Sequence, residues 1–406
     1  MTNELKNVPE LRFPKFTGEW EENQLSKLAR LLKDGTHGTH KDVENGAWLL
    51  SAKNIKNNSI IFDESDRMIS YDDYHKIYKN YQLQKDDLLL SIVGTIGQVA
   101  LVKDPTNLAF QRSVAIIRFE NRLSNSFFLY LFQTNTFRKK LLRNQVVSAQ
   151  PGLYLGDLGK FFVDYPLNYK EQEKIGNFFS KLDRQIELEE QKLEKLEEQK
   201  KGYMQQIFSQ QLRFKDENGN EYPEWEEKKL GDILERGNKD KVNEIGKYRR
   251  LTISLHGKGL YEVKQERKTK DTRPFYQRFE GELIIGKQNF FNGSIAIVTR
   301  EFNGFICSNA IMSYKISNHI NRKYLLEYLL QNDFLRKNEY LADGTGQKEL
   351  SEKKFEELEI KLPNSINEQQ KIGVFLERLD NLIEKQSNKL ELLKQRKKSF
   401  LQKMFV

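Results

Sequence analysis

Side chains that can hydrogen-bond to base edges, together with cations that can neutralise phosphates, recur in a few short polar segments of this sequence. Asp34-Gly-Thr-His-Gly-Thr-His-Lys41 sets Thr36, His37, Thr39, His40 and Lys41 in one loop. Its glycines would let the backbone approach phosphates. Lys53-Asn54, Gln111-Arg112, Ser148 and Gln150 add further donors in the first half. In the second half Arg249-Arg250, His256, Lys258, Lys287-Gln288-Asn289, Asn292, Thr345 and Gln347-Lys348 offer the same chemistry. Arg, Lys, Asn and Gln are the side chains that pair bidentately with purine edges in the major groove. A solvated loop rich in Lys, Asn and Gly has the same composition, so no single segment decides between the two readings.

Other chemistries find less support. His37 and His40 lie three residues apart in a Gly-Thr loop, which is not a zinc-ligand arrangement, and no acidic cluster is local. Cys307 is the only cysteine, so no internal disulfide and no thiolate cluster can form. No G-x-x-x-x-G-K-[ST] phosphate loop occurs. Gly94-Thr-Ile-Gly97 follows an apolar run but lacks the dinucleotide fingerprint and reads as a turn. Asp104-Pro-Thr-Asn107 does not match the [N/D]-P-P-[Y/F] signature of adenine methyltransferases, and no paired carboxylates with lysine suggest a metal-dependent nuclease. Neither a catalytic nor a metal site is expected.

With 406 residues the chain has room for two or three domains. Its 67 Lys and Arg outnumber 58 Asp and Glu, a surplus compatible with a polyanionic partner. Met1 to Pro9 has no apolar leader core, and no run approaches the ~20 apolar residues of a membrane span, so the chain reads as cytoplasmic.

The elements that hold these loops are duplicated. Glu171 to Phe208 and Glu368 to Phe405 align without gaps at an offset of 197 residues, with about half the positions identical. Leu11-Arg-Phe13 recurs as Leu212-Arg-Phe214, and Glu19-Trp-Glu-Glu22 as Glu224-Trp-Glu-Glu227. Asp87-Leu-Leu-Leu90 resembles Glu282-Leu-Ile-Ile285, Gly97-Gln-Val-Ala100 resembles Gly293-Ser-Ile-Ala296, and Ser148-Ala-Gln150 lines up with Thr345-Gly-Gln347. Residues 34–80 and 236–276 share little, so one scaffold carries two different surfaces. The predicted order is a globular domain over 1–166, a helix over 167–209, a second domain over 210–363 and a second helix over 364–406.

Each helix follows a proline, Pro166 or Pro363, and opens on a capping-box pattern, Asn168-x-x-Glu171 and Ser365-x-x-Glu368. Apolar residues then recur at spacings of three and four. They are Ile175, Phe179, Leu182, Ile186, Leu193, Leu196, Tyr203 and Ile207 in the first helix, and Ile372, Leu376, Leu379, Ile383, Leu390, Leu393, Phe400 and Met404 in the second. This is a coiled-coil seam. It is broken at matching places, by Glu189 and Lys200 and by Gln386 and Lys397. Antiparallel pairing about a pseudo-twofold predicts Glu189 opposite Lys397, Lys200 opposite Gln386, Leu193 on Leu393 and Leu196 on Leu390. At ~1.5 Å per residue each helix is roughly 57 Å long, enough to space two half-sites one turn of DNA apart. A plain coiled-coil scaffold without DNA readout fits the helices equally well, but does not need two elaborate domains with divergent loops.

Short apolar runs between Gly, Asn and Asp turns predict strands over Leu88–Val93, Val99–Val102, Val114–Phe119, Leu283–Ile285, Ile295–Val298 and Ala310–Ile316. Helices follow over Ser126–Arg143 and Arg322–Lys337, so each domain is α+β.

Over nearly its whole length this plan resembles the specificity subunits of type I restriction–modification systems. The resemblance rests on the tandem order, the stretch Asp87-Leu-Leu-Leu-Ser-Ile-Val-Gly-Thr-Ile-Gly97, the stretch Gly286-Lys-Gln-Asn-Phe-Phe-Asn-Gly293, and the [LY]-P-x-x-x-x-E-Q-x-K-I start of each long helix. It implies two target recognition domains, each reading one half of a bipartite, asymmetric DNA site across a non-specific spacer. It further implies helices that bind two modification subunits carrying S-adenosylmethionine, which methylate adenine, and restriction subunits that add Mg- and ATP-dependent translocation and cleavage. A specificity subunit for a type II-like fused methyltransferase–nuclease fits the same pattern.

Overall fold

Leu88, Leu89 and Leu90 form an unbroken apolar run because the strand they build is buried on both faces. Leu88 and Leu90 point into one core, with Ala115 and Ile117, and Leu89 points into another, with Val114 and Ile116. Leu283, Ile284 and Ile285 divide in the same way. The computed structural model describes residues 7–146, 151–263, 273–341 and 349–406. Two compact units form, Met1–Gln191 with Asn388–Val406, and Lys192–Ser387.

In the first unit the central sheet holds β1 (Ala29–Asp34), β2 (Leu88–Ser91), β3 (Val99–Leu101) and β4 (Val114–Phe119) in the order β1-β4-β2-β3, all antiparallel. One face packs on helices α1 (Asn125–Leu131) and α2 (Asn135–Arg143), the other on a small sheet in which Ala47–Leu50 runs parallel to Leu108–Phe110. α3 (Tyr169–Phe208) follows. The second unit repeats the topology: β5 (Leu234–Arg236), β6 (Leu283–Gly286), β7 (Ile295–Ile297) and β8 (Ile311–Ile316) lie in the order β5-β8-β6-β7. There α4 (Arg322–Leu329) and α5 (Asn332–Lys337) precede α6 (Ile366–Lys403). No helix among the described residues is long and apolar enough to cross a membrane.

The predicted single helices over Ser126–Arg143 and Arg322–Lys337 are each two helices. In the first the break comes at Thr134, whose hydroxyl accepts from the Phe137 amide and starts a new helix.

The repeated residues around the long helices account for one another. The strand that starts within each Glu-Trp-Glu-Glu motif pairs with the strand that leads into the long helix, Glu21–Gln24 with Phe162–Tyr165 and Glu226–Lys229 with Glu359–Leu362. The capping boxes are not completed. Asn168 Oδ1 accepts from the Lys170 amide, and Glu171, 1% exposed, instead takes the Arg12 guanidinium at 2.7 and 2.8 Å. Glu368 takes Arg213 in the same way. A buried carboxylate needs a full countercharge, and two orphan amides at a solvated helix start do not. The neighbouring glutamines are buried too. Gln172 accepts from the Ser124 amide and donates to the Pro166 carbonyl; Gln369 accepts from the Asn321 amide and donates to the Pro363 carbonyl.

Within each unit the long helices pack antiparallel, in a register that differs from the predicted one. In the first unit Lys397 pairs with Asp183 at 2.6 Å and Glu189 with Lys389; in the second Lys200 pairs with Asp380 at 2.6 Å and with Glu327 at 2.9 Å. The partners of Lys397 and Lys200 are each six residues from those expected, Glu189 and Gln386, whereas Lys394 pairs with Glu190 at 2.7 Å, only two residues from the expected alignment. A half-buried ammonium requires a carboxylate, which Gln386 does not supply. Asp183 and Asp380 are moreover fixed by their own domains, Asp183 by Tyr130 and Asn58, Asp380 by Lys323. Leu390 and Leu393 are buried, Leu193 and Leu196 half-buried, as are Ile186 and Ile383.

Candidate nucleic-acid interface

Several connections converge on one end of the first unit's sheet. The Thr36 amide donates to the Phe110 carbonyl and the Arg112 amide to the Thr36 carbonyl. The Gln111 amide donates to Leu50, the Ala52 amide to the Ser113 hydroxyl, and the Ile92 amide to the Ser113 carbonyl. Thr36, Lys53, Gln111 and Arg112, distant in sequence, are thereby brought to one place. Thr39, Lys41, Lys53 and Arg112 are exposed there. Gly35 serves the protein's own packing and not a phosphate, since a Cβ would stand 2.1 Å from the Phe110 carbonyl oxygen.

The two histidines turn to different partners. His37 donates from Nε2 to Asp34 at 2.6 Å; His40 bonds Thr36 Oγ1 at 3.0 Å and faces Asp73 at 3.5 Å. Lys53 pairs with Asp66, and hydrogen bonds from Asn54 and then Lys53 hold that carboxyl down, to about 2. Asn54 is not a reader of bases. It is 4% exposed, its oxygen accepts from the Ser51 amide, and its nitrogen donates to the Ile61 carbonyl. Polar type alone marks Asn54 as a surface donor; its role in closing a turn depends on the fold.

The second unit ties two of its candidate segments into one knuckle. The His256 amide donates to Asn292 and the Gly257 amide to Gly293. His256 sits at φ +59, a left-handed conformation that histidine tolerates better than most residues. His256, Lys258, Gln288, Asn289 and Asn292 are exposed, with Lys287 half-buried beside them. The Asn292 amide nitrogen reaches Asn289 Oδ1 at 3.4 Å.

Arg249 and Arg250 are not part of this knuckle. They lie at the start of the Leu251–Ile253 strand and His256 lies beyond its end, ~10 Å further along. Arg249 pairs with Glu262 and stacks on Phe305; Arg250 stacks on Phe275. Ser148, Gln150, Thr345, Gln347 and Lys348 lie outside the described residues.

The buried Cys307 accepts from Arg278 Nε at 3.1 Å, and burial pushes its thiol up, away from a reactive thiolate. The Arg–Glu and Lys–Asp pairs along the long helices were not picked out from the sequence, although the repeated Leu-Arg-Phe and Glu-Gln motifs that carry the first of them were visible.

A family model described as "Type I restriction modification DNA specificity domain" matches residues 18–198 and 222–395. The type I restriction enzyme EcoBI specificity subunit of Escherichia coli is 25% identical over 161 residues, 39% of this chain and 33% of that protein. The type I restriction enzyme MjaIX specificity subunit of Methanocaldococcus jannaschii is 27% identical over 237 residues, 54% of this chain and 52% of that protein. The chain thus spans a third to about half of the length of these curated relatives. Among solved structures, a type I restriction–modification system S subunit from M. genitalium matches with a TM-score of 0.62 at 16% identity, covering 98% of this chain and 99% of that one, which shows a shared fold. With two copies of the family's domain covering most of its sequence, in the order of its internal repeat, this chain belongs to the type I restriction–modification DNA specificity family.

Proposed function

We propose that the chain is the non-catalytic, sequence-reading subunit of a cytoplasmic type I restriction–modification complex, and that it recognises a bipartite, asymmetric DNA site. One observation carries this reading. Two sheets of the same topology present at their ends loops of different sequence and different pairing, so each unit offers its own polar surface on a common frame. Each unit reads one half-site, with Thr36, Lys53, Gln111 and Arg112 in the first and His256, Lys258, Asn289 and Asn292 in the second as the leading contacts. Cations position the duplex through phosphates, and the amides and guanidinium reach base edges. Two modification subunits dock on the long helices, and restriction subunits join through them. S-adenosylmethionine, ATP and Mg belong to those partners, not to this chain.

Exchange of residues 212–362 for the corresponding segment of a relative tests the assignment. Methylated adenines mapped genome-wide should change in one half of the recognition sequence and keep the other. A change in both halves, or in neither, rejects the modular reading.

A further inference from the structure

Helix α2 carries four cations, Arg138, Lys139, Lys140 and Arg143, and no carboxylate. Phe137 and Leu141, one turn apart, anchor it in the core, which leaves Arg138, Lys139, Leu142 and Arg143 exposed together. Lys140 is engaged with the Phe162 carbonyl at 2.7 Å. Among the described residues Arg138, Lys139 and Arg143 have no ion-pair partner. Several other cations of the same unit do have one, as in Lys53–Asp66, Arg67–Asp42 and Arg118–Asp87. Crowding like charges on one helix is mildly destabilising. The macrodipole favours cations only in the last turn, which covers Lys140 and Arg143 but not Arg138 or Lys139. Folding therefore gives no reason for this face.

Its place supplies one. Leu141 packs against Gly97, in the turn that closes β2. Just past the helix Val146 bridges Gly152, which bridges Val93, and the Gly94 amide donates to the Pro151 carbonyl. The same end of β2 is bonded to Ser113, beside Gln111 and Arg112. The cationic face thus flanks the end of the sheet where the candidate reading loops gather. Arg138 and Arg143 are five residues apart, ~7.5 Å of helix rise, a span over which one strand carries more than one phosphate charge, since these recur every ~3.4 Å of duplex axis. The counterpart helix α5 has only Arg336 and Lys337, with Asp333 on the same short helix.

We propose that Arg138, Lys139 and Arg143 form a phosphate grip, which clasps the DNA backbone beside the first unit's half-site without reading bases. This rests on the DNA-recognition assignment above. The test measures binding of the full chain, assembled with its modification subunit, to a duplex carrying the mapped site and to a duplex of scrambled sequence, between about 50 and 200 mM salt. The variant is Arg138→Ala/Lys139→Ala/Arg143→Ala, with Arg138→Lys/Arg143→Lys as the charge-preserving control. The triple variant should bind both duplexes more weakly, keep the ratio between them, and lose about 2–3 from the log–log salt slope, at ~0.9 per phosphate contact. The control should keep the wild-type slope. An unchanged slope in the triple variant, with wild-type binding intact, overturns the grip and leaves the DNA-reading assignment standing. A triple variant that no longer assembles with the modification subunit assigns this face to protein docking and also overturns it. A wild-type complex that binds neither duplex overturns the assignment itself, and the grip with it.

Discussion

Gly176 lets the first long helix approach the start of α1 more closely than any side chain would allow. A Cβ there would stand 2.2 Å from Ser126 Oγ and 3.1 Å from the Phe127 amide; Gly373 repeats the contact against Asn321 in the second unit. The Lys-Ile-Gly that follows Glu-Gln in both helices is thus a packing device, alongside the Arg–Glu pair and the bridging glutamine. Gly202, on the same helix, faces open space. Gly176→Ala should therefore cost about 1–3 kcal/mol through overpacking. Gly202→Ala should stabilise by about 0.5–1 kcal/mol through helix propensity alone. Urea unfolding midpoints of the two variants decide this, and equal effects would show that backbone entropy, not the contact, controls both sites. The repetition of these residues was legible in the sequence, but what each one touches was not. A capping box and a buried ion pair use the same glutamate at the same spacing, and the choice depends on whether Arg12, some 160 residues away, folds back onto Glu171.

Each long helix was legible from its 3.5-residue period, and so was its antiparallel sense, but the register was not. A heptad seam repeats its apolar pattern every seven residues, so the pattern alone leaves more than one alignment open. The decision falls to the few charged residues at its margins, and those are fixed by side chains outside the helices. Tyr130 and Asn58 both hold Asp183 Oδ2 and so present Oδ1 to Lys397. In the second unit burial pushes the Asp380 carboxyl up, yet hydrogen bonds from Lys200 and Lys323 outweigh it and hold the group below its ordinary range. The strands beneath the reading loops were likewise plain, whereas the loop side chains were not, because an interior Asn54 and an exposed Asn292 look alike in composition. A double-mutant cycle between Asp183→Asn and Lys397→Met should give a coupling of about 1–3 kcal/mol. The cycle between Glu189→Gln and Lys397→Met should stay within about 0.5 kcal/mol. The reverse order would restore the register expected from the seam alone.

Asp183 and Lys200 are 17 residues apart on the first long helix, and Asp380 and Lys397 are 17 apart on the second. Each unit's clamp draws one member from each helix, so both clamps can form only if the two intervals match. This makes helix length a paired quantity. Seven residues inserted between Asp183 and Lys200 alone put the clamps out of step, and the chain should lose the contribution of one of them, visible as a lower unfolding midpoint. The same insertion made in both helices preserves the seam's phase to within ~20° per heptad and lets both clamps close, so the midpoint should return toward wild type. If the chain reads a bipartite site, the doubly lengthened protein should keep both half-site sequences and lengthen the spacer between them. The increase should be at most about three base pairs, since seven residues rise ~10.5 Å and a base pair ~3.4 Å. Adenine methylation mapped in cells carrying the three proteins reads both quantities from one experiment. A single insertion that left stability untouched would mean the clamps do not set the register. An unchanged spacer in the doubly lengthened protein would mean the helices do not set the distance between the half-sites.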